Sequence, residues 1–192
     1  MLVKWIHCHV EEHYKGQFSA AQEKWCELEQ VPGFLMQLGG WNEADSNEAC
    51  TLSLWENEQA YAHFMKEVHD VIYEKSRQKG TYGQISVSVF TAEPLDNSNF
   101  TQNQSFIQMS RWMLVGRAGK EANYCSIINN IREEIANTSL IETVVLSRDQ
   151  SNYVMIFLSE KITCIPNDTL IDYTIVKLQA KWSVFRKQRL NG

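Results

Sequence analysis

The chain has 192 residues, of which 44% are hydrophobic and 21% charged, with only 3 Pro and 9 Gly. This composition is typical of a folded globular protein and excludes collagen-like and extended disordered classes. The net charge is −5, with 7 Lys and Arg against 15 Asp and Glu in residues 1–100 and 11 against 8 in residues 101–192. Because the basic residues are scattered through an acidic chain, we expect no nucleic-acid partner.

The first ten residues, MLVKWIHCHV, lack the basic and apolar regions of a signal peptide. No apolar run approaches the roughly 20 residues that a membrane span requires. Five widely spaced cysteines contain no C-x-x-C pair, which favours free thiols in a reducing compartment: Cys8, Cys26, Cys50, Cys125 and Cys164. We therefore expect a cytoplasmic protein without a membrane partner.

Hydrophobic periodicity divides the first half of the chain into a βαββαβ order. The predicted elements are a strand at 2–10, a helix from a Ser19 capping pattern to Pro32, strands at 34–41 and 50–55, a helix at 57–78 and a strand at 85–89. Asn57 is the predicted cap of the second helix. An apolar stripe at i, i+3, i+4, i+7 and i+11 defines the buried face of that helix: Tyr61, Phe64, Met65, Val68 and Ile72.

The polar, amide-rich residues 94–105 have no periodicity and predict a linker between a first unit at 1–93 and a second at 106–192. The second unit is predicted to contain a strand at 106–115, a helix at 120–137, and strands at 143–147, 153–158 and 171–185. Only about a dozen residues, including Pro166, separate its last two strands. The second unit is therefore predicted to lack most of its second helix.

Several predicted strands are apolar on both faces, as in residues 154–158, which indicates burial on both sides of a sheet. A βαββαβ unit carries its helices on one face of an antiparallel sheet, so its other face needs a cover. We predict an α+β fold in which two tandem ferredoxin-like βαββαβ units form an intramolecular dimeric α/β barrel. The chain is then a monomer with an internal pseudo-twofold axis, or a homodimer.

Two stretches of the first half carry a resemblance to a known family. Gly33-Phe34-Leu35 enters a strand, and the segment from Thr51 to Tyr61, TLSLWENEQAY, ends a strand in Trp before an acidic turn and a helix. These residues resemble the antibiotic-biosynthesis-monooxygenase-like branch of the dimeric α/β barrel superfamily. The whole chain more closely resembles a bacterial family carried as a domain of unknown function. The superfamily includes cofactor-independent oxygenases of aromatic substrates, haem-degrading oxygenases, and members with no known reaction.

The haem-degrading branch has an Asn on its first strand, a Trp in its second helix and a His ten residues beyond that Trp. This chain has Ile6 and His7 on the first strand, Phe64 at the Trp position and Glu74 at the His position. The resemblance therefore implies no haem, and we expect no cofactor. The quinone-forming oxygenases place Trp, Tyr and Asn around a pocket, for which Trp41, Trp55 and Tyr61 are the candidates here.

Two histidines are the candidate catalytic residues. At 100° per residue, His69 falls at the edge of the buried helical stripe while His63 falls opposite it, so His69 is predicted to be half-buried. Such an imidazole titrates near neutral pH, although a core-edge histidine bonded to a carbonyl gives the same pattern. His7 and His9 share one strand face, but two imidazoles without a third ligand do not make a metal site, so we expect no metal.

The candidate ligand-binding residues are mostly aromatic. Trp5, Trp41, Trp55 and Tyr61 either line a flat pocket or fill a core, and Arg111, predicted within a strand, needs a partner or an anionic ligand when buried. We expect a small-molecule-binding barrel with an aromatic ligand, acting as a cofactor-independent oxygenase with His69 or His7 as the base. The alternative is a non-catalytic binding or stress-associated module.

Overall fold

The computed structural model describes residues 1–91, 109–119, 140–146, 152–160 and 171–187. The strands are β1 Leu2–His9, β2 Phe34–Asn42, β3 Glu48–Trp55, β4 Ile85–Thr91, β5 Trp112–Gly119, β6 Leu140–Leu146, β7 Asn152–Ser159, β8 Ile171–Leu178 and β9 Val184–Phe185. The α-helices are α1 Lys15–Gln22, α2 Glu58–Glu67 and α3 His69–Ser76, and 3-10 helices span Glu12–Tyr14, Glu23–Gln30 and Ala180–Trp182. None of these helices in the described residues is long and apolar enough to cross a bilayer. The predicted linker at 94–105, the predicted helix at 120–137 and residues 161–170 lie outside the described residues.

The first half has the predicted order of elements, with two local corrections. The Asn57 side chain caps α2 as expected, accepting a hydrogen bond of 2.8 Å from the Ala60 N–H. The first helix begins at Lys15, so the predicted capping role of Ser19 is wrong; its hydroxyl lies inside α1 and accepts a bond from the Trp182 indole N–H. The predicted second helix divides into α2 and α3 at Val68, whose φ of −123° is outside the helical range.

The second half departs from prediction at both ends. Its first strand begins at Trp112, so Arg111 precedes the strand and has an exposed side chain. The last predicted strand stops at Leu178 and turns through a 3-10 helix. This turn lets Trp182 pack, fully buried, against Phe18 and Trp41 at ring-centroid distances of 5.7 and 5.3 Å. Burial of one large aromatic side chain against the helical layer therefore ends the strand earlier than periodicity suggests.

One antiparallel sheet contains all nine strands, in the order β4-β1-β3-β2-β8-β5-β7-β6, with β9 also paired to β2. Strands β5–β8 thus follow the same relative order in the sheet as strands β1–β4. The two runs meet where residues 40–42 of β2 pair with residues 176–178 of β8. A Cβ atom on Gly40 would lie 2.0 Å from the Lys177 carbonyl oxygen, so this close approach requires glycine.

The face of the sheet away from the helices is buried by residues from both halves of the chain. Its core cluster contains Val3, Trp5, Met36, Leu38, Cys50, Leu52, Leu54, Met113, Val115, Ile156, Leu158 and Val176. Phe157, between two members of this cluster, is also buried, as expected for a strand covered on both faces. The fold is therefore a mixed α+β structure whose antiparallel sheet carries its helices on one face and a shared apolar core on the other.

Candidate functional site

The helical face of the first-half sheet carries two separate apolar clusters. One packs beneath α2, α3 and the 3-10 helix Glu23–Gln30. It contains Leu2, Leu28, Val31, Phe34, Trp55, Phe64, Ile72 and Val184. The other packs beneath α1 and contains Cys8, Val10, Phe18, Ala49 and Trp182. A cavity of about 320 Å³ lies between the helices and the sheet, and residues of both clusters line it. This volume is at the lower end of the range for pockets that hold one small molecule.

The floor of the cavity is a row of polar side chains on three adjacent strands. Lys4 of β1 pairs with Ser53 of β3, and Ser53 pairs in turn with Gln37 of β2. Thr51 lies two residues from Ser53 on the same face of β3, and all four residues line the cavity. Each of the four is buried. Burying polar groups is costly unless they form hydrogen bonds, so this row makes the cavity floor a candidate binding surface.

Lys4 is the most unusual member of this row. Only 9% of the residue is exposed, and none of the described carboxylates forms an ion pair with its ammonium group. Its Nζ atom lies over the Tyr61 ring, 5.5 Å from the ring centroid. Burial lowers the pKa of the Lys4 ammonium from 10.5 to about 8. The cavity floor therefore carries a positive charge near neutral pH that the protein itself does not neutralise.

The neighbouring amide and hydroxyl groups add hydrogen-bond capacity to the floor. The Gln37 Nε2 atom is buried and has no hydrogen-bond partner among the described residues. The Ser53 hydroxyl accepts a bond of 3.1 Å from the Trp55 indole N–H, which leaves its own proton free to be donated. An unmade hydrogen bond at a buried amide costs stability, and a ligand oxygen would satisfy it.

The walls and roof of the cavity are aromatic. The rings that line it are Phe18, Trp25, Tyr61, Phe64, Tyr73 and Tyr82. Two of the phenols are bonded to each other, with 3.1 Å between the Tyr73 and Tyr82 oxygens. Burial raises the pKa of Tyr61, and burial together with the Tyr73 hydrogen bond raises the pKa of Tyr82. Tyr61 and Tyr82 are therefore protonated at neutral pH, and the Tyr61 hydroxyl can donate a hydrogen bond into the cavity.

His69 is the titratable base that faces this cavity. Its ring stacks on Tyr73, with an interplanar angle of 9° and 6.0 Å between centroids, and lies 5.6 Å from the Trp25 ring. Its Nδ1 atom lies 2.8 Å from a carboxylate oxygen of Asp70. That hydrogen bond favours the tautomer in which Nε2 is unprotonated and able to accept a proton. The helical geometry predicted from sequence, with His69 half-buried and His63 exposed, is confirmed.

The cavity opens between α2 and the edge strand β4. Met65, Ile85 and Val87 line this side of the cavity and are 36%, 50% and 49% exposed. The sheet register places Ile85 opposite Cys8 and Val87 opposite Ile6, so these two β4 side chains lie on the helical face. An apolar rim at an opening favours entry of an apolar or aromatic molecule over a highly polar one.

The predicted site residues divide between this cavity and other places. Tyr61 and His69 line the cavity. Trp41 packs against the cluster beneath α1. Trp55 belongs to the cluster beneath α2 and α3, and its indole N–H donates a hydrogen bond to the Ser53 hydroxyl. Trp5 points to the opposite face, into the core shared by both halves, where its indole N–H is buried and has no hydrogen-bond partner in the described part of the chain.

Two further candidates also lie away from the cavity. His7 lies on the same face as Trp5, with their rings 4.8 Å apart, and contacts Glu48 on β3. Arg111 is exposed just before β5, and its backbone N–H bonds to the Ser159 carbonyl. Neither side chain is part of the cavity lining.

Sequence reasoning did not single out the polar floor, although one signal was present. Lys4 follows the alternation of β1 on the same side as Leu2, Ile6 and Cys8, which makes it a charged residue on an otherwise apolar face. Gln37 and Ser53 also sit within strands that are otherwise buried. Their alignment with Lys4 depends on strand register, which the sequence alone does not supply.

Comparison with solved structures defines the class of protein. The whole fold is similar to a crystal structure described as a "putative monooxygenase" from Lactobacillus acidophilus NCFM, with a TM-score of 0.63, 12% identity and 96% of each chain covered. A second "putative monooxygenase", from Fusobacterium nucleatum, gives a TM-score of 0.62 at 10% identity, covering 93% of this chain and 91% of the other. A "putative chlorite dismutase", TA0507, gives 0.53 at 9% identity, covering 94% and 96%. The chain thus has a mixed α+β fold with an antiparallel sheet that is similar to the folds of these proteins.

Sequence comparison identifies the family. Residues 2–90 match the family described as "Domain of unknown function (DUF4937)". The uncharacterized protein YdbC of Bacillus subtilis (strain 168) is 39% identical over 92 residues, covering 47% of this chain and 77% of YdbC. The chain belongs to this family, as the sequence resemblance indicated. The cavity, lined by residues between Lys4 and Val87, lies entirely within the matched segment.

Proposed function

We propose that the cavity binds a small aromatic molecule that carries an acidic or carbonyl oxygen. The observation that carries this proposal is the buried Lys4 ammonium, which has no carboxylate partner among the described residues. Ser53 aligns it with the Gln37 amide nitrogen, which also has no hydrogen-bond partner there. A ligand oxygen at the centre of this row would neutralise the charge and accept the amide hydrogen bond. The surrounding aromatic rings would pack against a flat ring system.

As an enzyme, this site would act as a cofactor-independent monooxygenase on such a substrate. His69 would remove a proton from the bound molecule, and Lys4 would stabilise the resulting phenolate or enolate oxygen. The anion then reduces O₂: a ring CH₂ becomes C=O, and the second oxygen atom leaves as water. The substrate supplies all four electrons, so the reaction needs no bound cofactor. Support for this extension comes from the place of His69 in the cavity lining and from the hydrogen bond that orients its ring.

One observation favours the alternative of a non-catalytic binding module. The Asp70 carboxylate that contacts His69 has a side chain 87% exposed, so this pair is solvated, unlike the buried dyads that activate bases in many enzymes. The same cavity would then sequester its ligand without changing it. The two functions share the binding step and differ in whether O₂ is consumed.

Binding is tested by tryptophan fluorescence titration with two probes of similar size, 1-hydroxy-2-naphthoate and naphthalene. We expect the acid to bind more tightly, and Lys4→Met to weaken its binding at least tenfold while leaving naphthalene unchanged. Lys15→Met is the matched control, because Lys15 also lies 5.5 Å from an aromatic ring, that of Trp41, but outside the cavity. Equal binding of the acid by wild type and Lys4→Met would contradict the proposal.

Turnover is tested separately in an oxygen electrode with a hydroxylated dihydroaromatic ketone of the anthrone type. We expect wild type to consume one O₂ per substrate and His69→Ala to bind the substrate without consuming O₂. Binding by wild type with no oxygen uptake would identify the non-catalytic module.

We also propose the finer architecture expected from the sequence, in which two tandem ferredoxin-like units form a barrel within one chain. It is supported by the repeated strand order and by the core cluster with members from both halves. Since the inner face is covered within one chain, we expect a monomer of 22.2 kDa by light scattering. A stable dimer at micromolar concentration would contradict the monomeric form of this proposal.

A further inference from the structure

Three side chains of different chemistry converge on the sheet face opposite the cavity. His7 of β1 lies directly across from Cys50 of β3, and Glu48 lies two residues before Cys50 on the same face. The His7 Nδ1 atom lies 3.1 Å from Oε1 of Glu48 and 3.8 Å from the Cys50 sulfur. The Cys50 sulfur lies 3.7 Å from the other oxygen of Glu48.

These separations match those of ligands around one tetrahedral metal ion. Bonds of about 2.0 Å from zinc to nitrogen or oxygen and about 2.3 Å to sulfur, at tetrahedral angles, place the ligand atoms about 3.3–3.6 Å apart. The 3.1 Å and 3.7 Å contacts of Glu48 involve different oxygens, Oε1 for His7 and Oε2 for Cys50. With one ligand atom taken from each residue, the three atoms lie within 4.8 Å of one another. Small rotations of side chains would therefore complete the geometry.

A further residue holds the carboxylate in place. The Asn42 amide nitrogen donates a bond of 2.6 Å to Oε2 of Glu48, and the Asn42 amide oxygen accepts one of 3.0 Å from the Ala44 N–H. This second bond fixes which end of the amide faces Glu48. Outer hydrogen bonds that orient a ligating carboxylate are a regular feature of metal sites.

The burial of the three groups distinguishes a metal site from a nucleophilic cysteine. Cys50 is fully buried, so a substrate cannot reach its sulfur. A nucleophilic cysteine needs an accessible thiol. The His7 and Glu48 side chains are 20% and 28% exposed, which gives an ion access from solvent.

We propose that His7, Glu48 and Cys50 bind a zinc ion, with water as the fourth ligand. A donor set of one imidazole, one carboxylate and one thiolate favours Zn²⁺ over Mg²⁺ or Ca²⁺, which prefer oxygen alone. Binding releases the thiol proton to solvent, so the Cys50 thiolate and the Glu48 carboxylate together balance the two positive charges of Zn²⁺. We expected no metal from the sequence because His7 and His9 lacked a third ligand. The other two ligands, Glu48 and Cys50, come from the neighbouring strand β3.

The test uses untagged full-length protein, stripped with chelator and then titrated with Zn²⁺ and with Co²⁺ as a spectroscopic probe. We expect one ion per chain and, with Co²⁺, a thiolate-to-metal charge-transfer band in the near ultraviolet. Cys50→Ser should abolish that band, and His7→Ala should weaken Zn²⁺ binding at least about 100-fold. If Cys50→Ser fails to fold, Glu48→Gln, which leaves the thiol in place, should still weaken binding at least about tenfold.

Two control variants separate this site from general binding to thiols and histidines. Cys26→Ser removes an exposed free thiol. His13→Ala removes an exposed imidazole that lies 3.4 Å from a Glu11 oxygen, a histidine–carboxylate pair without a thiol. Both controls should bind zinc as wild type does. Absence of zinc binding by wild type, a charge-transfer band that survives in Cys50→Ser, or equal losses in the controls would overturn the proposal.

Discussion

Replacement of Lys4 by methionine is expected to stabilise the protein at neutral pH. Lys4 is only 9% exposed and has no carboxylate partner among the residues that the structure describes, and its pKa falls from 10.5 to about 8 on folding. Each unit of pKa corresponds to about 1.4 kcal/mol, so below pH 8 the buried ammonium costs the folded state up to about 3 kcal/mol. Methionine has a similar length and no charge, so Lys4→Met should raise the free energy of unfolding by up to that amount. For a chain of this size, this is a rise in Tm of roughly 6–12 °C.

The pH dependence provides the more specific assay. Between pH 8 and 10.5 the unfolded chain binds more protons at Lys4 than the folded chain, so wild-type stability should rise through this range relative to the variant. Urea unfolding of both proteins, followed by far-UV circular dichroism at pH 7, 8, 9 and 10.5, measures the difference. Tyrosines and cysteines that do not interact with Lys4 titrate alike in both proteins, so their contributions cancel in the difference. A variant no more stable than wild type at pH 7, or a difference that stays constant to pH 10.5, would refute the reasoning. If Lys4→Met raises the free energy of unfolding, this would also indicate that Lys4 is retained for binding and not for stability.

Substitutions at three further positions test the fold by the same urea assay. Gly40→Ala should cost at least about 2 kcal/mol, because its Cβ would meet the Lys177 backbone where β2 joins β8; unchanged stability would contradict that junction. Gly16→Ala in α1 meets nothing within 4 Å and should stabilise by about 0.5–1 kcal/mol, and a loss would indicate an unrecognised contact. Asn57→Ala should cost about 1 kcal/mol by removing the cap on the Ala60 N–H, whereas Asn57→Asp should retain most of the stability.

The first-half elements follow from the sequence because the signals that produce them are local. Alternation along β1 and the apolar stripe of α2 and α3 predict most of the side chains that face inward, although Met65 of that stripe is 36% exposed. The Asn57 cap fixes where α2 begins. The half-buried position of His69 follows from the same helical angle. Where the prediction failed, a distant contact had overridden the local pattern. Trp182 is buried beside Phe18 only because the chain leaves β8 early, and Ser19 receives the Trp182 indole N–H instead of capping a helix.

The candidate sites were decided by tertiary structure. Lys4, Ser53 and Gln37 form one row only through the pairing of β1, β3 and β2, and the same register brings His7 opposite Cys50. Shifting a strand by one residue would turn each of these side chains to the other face. The sequence by itself determined the order of the first-half strands and helices and many of the side chains that face inward, because alternation and helical spacing act over a few neighbours. Which strands meet, and in what register, depends on the burial of side chains far apart in the chain, and only the folded structure specifies it.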